Sequence, residues 1–168
     1  MAPTPEEFAH FFNHWDRQVR RYLIWLEGDL SLIDDAAQDT MIAAHRYWNR
    51  LSGLENKKAW LFRIAGQRLS RLRQARQRQG VITDPRELPD HRMTSDAMAR
   101  KVEQLAVLDA VRKLPQQQAT AMALQLQFDH PLSEIAEIMG ISTGSVKTHL
   151  HHARATLKTL LADVDGGA

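Results

Sequence analysis

The 168-residue chain contains no cysteine, and this absence removes several classes of protein at once. Disulfide-stabilised folds, cysteine-ligated zinc sites, iron–sulfur clusters and cysteine nucleophiles are all excluded. The chain also lacks an apolar run near the roughly 18 residues that a membrane span requires. The segment 1–21 carries too many charges to contain the apolar core of a signal peptide. From these absences we expect a soluble, cytoplasmic protein.

A large net charge is also missing, because 22 Lys and Arg nearly balance 20 Asp and Glu, giving +2. Taken as an average, this balance argues against a strongly basic nucleic-acid-binding protein. The distribution is uneven, however. Residues 56–83 contain no acidic residue and eight basic ones, whereas residues 1–39 contain eight acidic residues. An acidic front followed by a basic stretch predicts two surfaces with different partners.

Apolar residues recur at steps of three and four throughout, and no alternating pattern typical of strands appears. The sequence therefore predicts an all-α fold. Thr4 and Glu7 form a capping box for a first helix that ends at Gly28. In the second predicted helix, 32–51, Tyr47 is expected to face inward, and in the third, 57–79, Ala75 is expected to do so. The later helices are predicted at 32–51, 57–79, 97–114, 116–128, 132–139 and 143–162.

A change in composition separates two halves. Gly80, Pro85 and Pro89 interrupt the helical pattern, and the same stretch is locally acidic. We therefore expect two small helical domains, 1–79 and 97–168, joined by a flexible linker over 80–96.

The second half contains a pattern typical of a helix-turn-helix. Ala136 is small where two helices approach, Gly140 suits a turn with positive φ, and Ser142 is a natural helix cap. Val146 then begins an apolar seam that continues through Leu150 at helical spacing. Small and polar residues at the start of this last helix, with cations further along, favour entry into a major groove.

The third helix carries a basic and amide stripe formed by Arg63, Gln67, Arg71, Gln74 and Arg78. Such a stripe is often only a solvated face. Here the helix lacks the acidic residues that normally form i,i+4 pairs, so a bound polyanion is favoured. Arginines would hold phosphates, and the two glutamines would reach base edges.

Carboxylates at Asp34, Asp35 and Asp39, with Gln38, admit three interpretations. An acid/base or metal site is not favoured, because Asp34 and Asp35 diverge by about 100° on a helix and no histidine joins them at ligand spacing. The other two are carboxylates that match the helix dipole, which would explain Asp34 and Asp35 alone, and a protein-docking face. His149 and His152 share a face, but two imidazoles without a third ligand make a poor zinc site. No phosphate-binding loop, dinucleotide turn or nucleophile elbow occurs. We therefore expect no catalytic residue, no metal and no cofactor.

Both halves resemble the extracytoplasmic-function (ECF) sigma factors, bacterial transcription initiation factors that consist of a region 2 and a region 4 domain. The segments DDAAQDTM (34–41) and WLFRIA (60–65) are similar to region 2 motifs. The stretch from Leu114-Pro115 to Leu161, including EIAEIMGIS and GSVKTHLHHAR, is similar to the region 4 pattern. The resemblance covers about residues 5–162.

This resemblance implies a protein that binds core RNA polymerase and recognises promoters, without enzymatic activity. The polymerase β′ clamp would contact Asp35, Gln38, Asp39 and Ile42, and the β flap would contact the second domain. The loop 51–58 would hold a flipped base of the −10 element. An anti-sigma factor is implied as a further partner. The −10 element would be contacted by Asn56, Lys57, Lys58, Arg63, Gln67, Arg68, Arg71, Gln74 and Arg78, and the −35 element by Ser145, Lys147, Thr148, His151, His152 and Arg154.

The chain departs from the family pattern at several of these positions. Gln67 and Arg71 stand where the family usually has Asn and Asp, and His149 and His152 stand where Arg is common. The alternative function is a stand-alone helix-turn-helix regulator. The acidic patch beside a separate basic helix favours the sigma factor, because a regulator needs neither.

Overall fold

The computed structural model describes residues 2–80 and 95–166. The chain divides into two compact units at residues 84 and 85. Within the described ranges the secondary structure is entirely helical, as predicted. Most of the predicted linker, residues 81–94, lies outside the described residues. The helices are α1 Pro5–Leu26, α2 Leu30–Arg46, α3 Trp48–Leu51, α4 Lys57–Gln79, α5 Ser95–Arg112, α6 Gln116–Phe128, α7 Leu132–Met139 and α8 Thr143–Asp165.

Helix α1 begins as its sequence predicts. The Thr4 side chain accepts a hydrogen bond from the Glu7 N–H (3.3 Å), and the Glu7 carboxylate accepts one from the Thr4 N–H (2.8 Å). Pro5 occupies the first turn, where its missing N–H costs nothing. The reciprocal bonds satisfy two amide donors that would otherwise lack partners inside the helix.

The predicted second helix is broken into two, and this prediction was wrong in three respects. Asp29 caps α2, so the helix starts two residues earlier than expected and Asp34 and Asp35 lie beyond its first turn. Tyr47 interrupts the helix, and its side chain is 47% exposed rather than inward. The break allows Trp48 to pack its ring against Phe8 (5.3 Å) and Phe11 (5.0 Å) of α1.

The core of the N-terminal unit lies between α1, α2 and α4. Small residues line the buried face of α2, which lets its neighbours approach closely. Phe62 is fully buried against Tyr22, with ring centroids 5.1 Å apart. The sequence analysis did not predict that Phe62 faces inward. Ala75, predicted to be buried, is exposed because the apolar packing of α4 ends at Leu69.

The C-terminal unit contains the predicted helix-turn-helix, formed by α7 and α8. Gly140 ends α7 with φ 68°, and the Ile141 N–H donates to the Ala136 carbonyl at 3.1 Å. This left-handed residue lets the chain reverse without strain. The apolar seam of α8 is buried against the other helices at Val146, Leu150, Ala153 and Leu157.

Candidate functional site

One face of α2 presents the predicted polymerase-binding residues together. Asp35, Gln38 and Ile42 are exposed, Asp39 is half-buried, and their spacing of three and four places them on one face. Ile42 is 57% exposed, which is unusual for a large aliphatic side chain. The opposite face of α2 is buried in the core, so the backbone that carries this acidic face is firmly held.

Asp34 has a different role from its acidic neighbours. Its carboxylate pairs with Arg20 of α1, and Arg20 also pairs with Asp16 at 3.1 Å. Partial burial disfavours the charged guanidinium, but the hydrogen bonds to Asp34 and Asp16 outweigh it, so the pKa of Arg20 is raised above its ordinary value. Asp34 therefore ties α2 to α1, and its charge is partly neutralised within the protein.

The predicted stripe on α4 is exposed along its whole length. Helical geometry places the five residues within an arc of roughly 80°, directed away from the buried Leu61, Ala65 and Leu69. In the described ranges, neither Arg71 nor Arg78 forms an ion pair. The arc consists of Arg63, Gln67, Arg71, Gln74 and Arg78.

Two other arginines of α4 do have acidic partners, which the sequence analysis missed. Arg73 pairs with Glu27 at 2.7 Å, and Arg76 pairs with Asp29. A search for partners at i,i+4 does not detect these pairs, because their members are 46 and 47 positions apart. The pairs lie on the inward side of α4, away from the stripe.

Of the four remaining residues predicted to contact the −10 element, three lie at the start of α4 and Arg68 lies in its middle. The Asn56 side chain caps the helix by accepting from the Ala59 N–H at 3.0 Å. The Lys57 ammonium donates to the Leu54 carbonyl at 3.0 Å. Lys58 and Arg68 are half-buried, and Arg68 lies to one side of the stripe. These four residues are therefore more enclosed than the stripe itself.

An open groove of about 1020 Å³ lies between the first half of α1 and the segment that leads into α4. Aromatic rings of Phe11, Trp15 and Trp48 line it, together with the polar residues Asn49 and Lys57. The loop predicted to hold a flipped base therefore begins beside an aromatic-lined groove.

In α8 all six residues predicted to contact the −35 element are exposed: Ser145, Lys147, Thr148, His151, His152 and Arg154. Ser142 caps the helix by accepting from the Ser145 N–H at 3.1 Å. Arg154 differs from the others, because its guanidinium donates to the Gln125 side chain of α6 at 2.7 Å. Arg154 thus also connects α8 to α6.

His130 is a buried polar residue that the sequence analysis did not consider. It lies in the connection that leads into α7, directly after Asp129, whose φ is +49°. Its ring nitrogen Nδ1 lies 3.0 Å from the Glu134 carboxylate in the first turn of α7. This contact joins the connection to the start of the helix-turn-helix.

Family models match both units of the chain. The model of sigma-70 region 2 matches residues 11–79, and the model of sigma-70 region 4 matches residues 104–157. The ECF RNA polymerase sigma factor SigM of Mycobacterium tuberculosis is 31% identical over 162 residues, covering 95% of this chain and 80% of SigM. BldN of Streptomyces coelicolor is also an ECF RNA polymerase sigma factor. It is 28% identical over 174 residues, covering 97% of this chain and 63% of BldN.

The chain therefore belongs to the ECF RNA polymerase sigma factors of the sigma-70 family. It binds core RNA polymerase and promoter DNA and directs transcription initiation, and the stand-alone regulator is not favoured.

Solved structures agree with the fold. The sigma factor RpoE in complex with the anti-sigma factor NepR from Bartonella quintana gives a TM-score of 0.75 at 22% identity, covering 94% of this chain and 98% of RpoE. CnrH in complex with the cytosolic domain of CnrY gives a TM-score of 0.69 at 20% identity, covering 98% of this chain and 92% of CnrH. In the described part of the chain, no helix is long and apolar enough to cross a bilayer, and no cluster of three potential metal ligands occurs.

Proposed function

We propose that this sigma factor divides its two partners between separate surfaces of the N-terminal unit. The acidic face of α2 (Asp35, Gln38, Asp39 and Ile42) binds the polymerase β′ clamp. The stripe of α4 binds the −10 element and its phosphates. The observation that carries this proposal is the segregation of charge, with carboxylates exposed on α2 and arginines exposed on α4, where Arg71 and Arg78 form no ion pair in the described ranges. Opposite charges on separate faces allow both partners to bind at once.

The C-terminal unit recognises the −35 element through α8 and contacts the β flap. Ser145, Lys147, Thr148, His151 and His152 face the groove, and Arg154 reaches a phosphate at its edge. We assign region 2 to residues 1–79, the linker to 80–96 and region 4 to 97–168. The helix-turn-helix geometry supports this assignment, because it exposes the start of α8 while its seam stays buried.

The mechanism involves no covalent step and takes place in the cytoplasm, where the polymerase acts. Binding energy positions the polymerase and stabilises a separated DNA strand. The aromatic-lined groove beside the loop 51–58 supports capture of an extruded base, because aromatic rings stack on bases of any sequence. Because RpoE was solved in complex with NepR and CnrH in complex with CnrY, we infer that an anti-sigma factor binds this protein as well.

The test compares two variants in transcription with core polymerase on genomic DNA fragments. We expect Gln38→Ala with Asp39→Ala to weaken binding to core polymerase. Arg71→Ala should leave core binding intact and weaken open-complex formation. It should also reduce the salt slope, which is the slope of log affinity for promoter DNA against log salt concentration, by about 1. The matched control is Asp163→Ala with Asn13→Ala, which removes an exposed carboxylate from the end of α8 and an exposed amide from α1. Equal loss of core binding in both test variants would refute the division of surfaces, and no transcript from any fragment would refute the function.

A further inference from the structure

The last ten residues of α4 pack less closely than the rest of the helix. Leu69 is the last buried residue, and none of residues 70–79 is buried. Helices in proteins are stabilised mostly by packing of an apolar face, and this segment has little of it. Yet this segment carries three of the five stripe residues, Arg71, Gln74 and Arg78. Some other interaction must therefore keep it helical and correctly directed.

That interaction is a set of ion pairs on the inward side of the segment, which we call the carboxylate clamp (Glu27, Asp29, Arg73 and Arg76). The Arg73 guanidinium donates to the Glu27 carboxylate at 2.7 Å and to the Leu26 carbonyl. The Arg76 guanidinium donates to the Asp29 carboxylate and to the Ser31 hydroxyl at 2.8 Å. The clamp therefore fastens two successive turns of α4 to the connection between α1 and α2.

The two carboxylates of the clamp are also held by hydrogen bonds that do not involve the arginines. Asp29 is 6% exposed, and its carboxylate accepts from the Ser31 N–H at 2.9 Å as the cap of α2. The Glu27 carboxylate also accepts from the Asp29 N–H at 3.2 Å. Burial disfavours the Asp29 carboxylate, but the Ser31 N–H and the Arg76 charge outweigh it, so the pKa of Asp29 lies below its ordinary value.

We propose that Glu27 and Asp29 are positioning residues for promoter binding, which act through Arg73 and Arg76 and never touch DNA. They set the direction of residues 70–79, so that Arg71, Gln74 and Arg78 meet the DNA together. This inference rests on the proposed function of the α4 stripe. By this inference Arg73 and Arg76 do not contact phosphates themselves, because their charges are neutralised within the protein.

The decisive variant is Glu27→Gln, which keeps an acceptor for the Asp29 N–H but removes the charge. Asp163→Asn is the matched control, since it makes the same charge change at an exposed site near the end of α8. Arg73→Gln and the double variant complete a thermodynamic cycle. Each is assembled with core polymerase and titrated onto a genomic promoter fragment that the unaltered protein transcribes, at several salt concentrations.

We expect Glu27→Gln and Arg73→Gln each to weaken promoter binding by about 3- to 10-fold, and the double variant to weaken it no further. The direction of the effect of Glu27→Gln is informative, because removing a negative charge near DNA would by itself strengthen promoter binding. The salt slope should stay unchanged in Arg73→Gln, since no phosphate contact is lost. Hydrogen exchange should quicken in residues 70–79 and stay slow in residues 57–69.

The inference is overturned if Glu27→Gln binds the promoter as Asp163→Asn does, whatever its hydrogen exchange. A second result would also overturn it. If the double variant weakens promoter binding by the product of the two single effects, and Arg73→Gln lowers the salt slope by about 1, then Arg73 contacts a phosphate. Failure of the proposed function looks different. In that case Arg71→Ala leaves promoter binding and its salt slope unchanged, and the inference falls with it.

Discussion

Helices α4 and α8 both have 23 residues and both present a polar face that we assign to DNA, but they are held in different ways. Helix α8 begins at a serine cap and keeps an apolar seam from Val146 to Leu157. Helix α4 has apolar packing only as far as Leu69 and depends on the carboxylate clamp beyond it. The direction of α8 is thus set by the hydrophobic core, and that of the end of α4 by charge.

The two exposed faces also differ in their cations. The cations in the stripe of α4 are all arginines, whose guanidinium stays charged at any physiological pH. Helix α8 presents Lys147, Arg154 and two adjacent histidines. Permanent charge in α4 favours a strong, salt-sensitive hold on phosphates, whereas the mixed face of α8 favours contact with base edges. Four changes would break or sharpen this contrast.

The largest effect is expected from Leu150→Ala in the seam of α8. Leu150 is 2% exposed, so the cavity should lower the free energy of unfolding of the C-terminal unit by about 2–5 kcal/mol. Hydrogen exchange measured peptide by peptide should show the loss in that unit alone. Thr148→Ala on the exposed face is the control, with a change within about 0.5 kcal/mol. Equal loss in the N-terminal unit would contradict the independence of the two cores.

Asp29→Asn tests the charged clamp while keeping a residue that caps helices equally well. We expect the free energy of unfolding of the N-terminal unit to fall by about 1–3 kcal/mol near neutral pH, because the Arg76 guanidinium loses its charged partner. Urea unfolding followed by circular dichroism at several pH values provides the measurement.

The pH dependence of this effect has a definite sign. Because the folded state lowers the pKa of Asp29, its contribution is complete above the ordinary value of 3.8 and is lost as the pH falls through the folded pKa. The unaltered protein and Asp29→Asn should therefore converge in strong acid. Asp35→Asn, at an exposed site, is the control. A difference that stays constant down to strong acid would contradict a role for the charge.

His152→Arg adds permanent charge to α8 and should make it resemble α4. We expect tighter binding to a −35 duplex near neutral pH and a salt slope steeper by about 1, because one more phosphate is neutralised. His152→Gln, which is neutral and polar, should leave the slope unchanged. Equal slopes for Arg and Gln at this position would place the side chain away from the phosphates.

The smallest effect on stability is expected from Arg154→Ala. Its bond to Gln125 is exposed, so the free energy of unfolding should change by less than about 0.5 kcal/mol. If Arg154 also reaches a phosphate, the salt slope of −35 binding should fall by about 1. Gln125→Ala separates the roles, because it removes the bond and keeps the charge. A lower salt slope in Gln125→Ala as well would show that the bond positions Arg154.

The parts of the fold that sequence predicted best are those encoded by neighbouring residues. The capping box at Thr4 and Glu7, the turn at Gly140 and the cap at Ser142 each involve residues at most five positions apart. Their outcome depends little on the rest of the chain. The exposure of the α2 face and the α4 stripe follows equally directly from helical periodicity.

What sequence did not predict depends on distant residues. The break at Tyr47 accompanies the packing of Trp48 against α1, about 40 positions away, and no local breaker signals it. The pairing of Arg73 and Arg76 depends on carboxylates in another helix connection, so the basic stretch looked uniformly uncompensated. Periodicity identifies which residues face inward, but not whether an inward arginine meets a carboxylate.

The aromatic cluster around Trp48 has a practical consequence for following the two units in solution. All four tryptophans and both tyrosines lie between residues 15 and 60, so residues 85–168 contain neither. Intrinsic fluorescence excited at long ultraviolet wavelengths therefore reports on the N-terminal unit alone. The N-terminal unit thus carries its own optical label, and a single tryptophan introduced on α8 would give the C-terminal unit a separate signal.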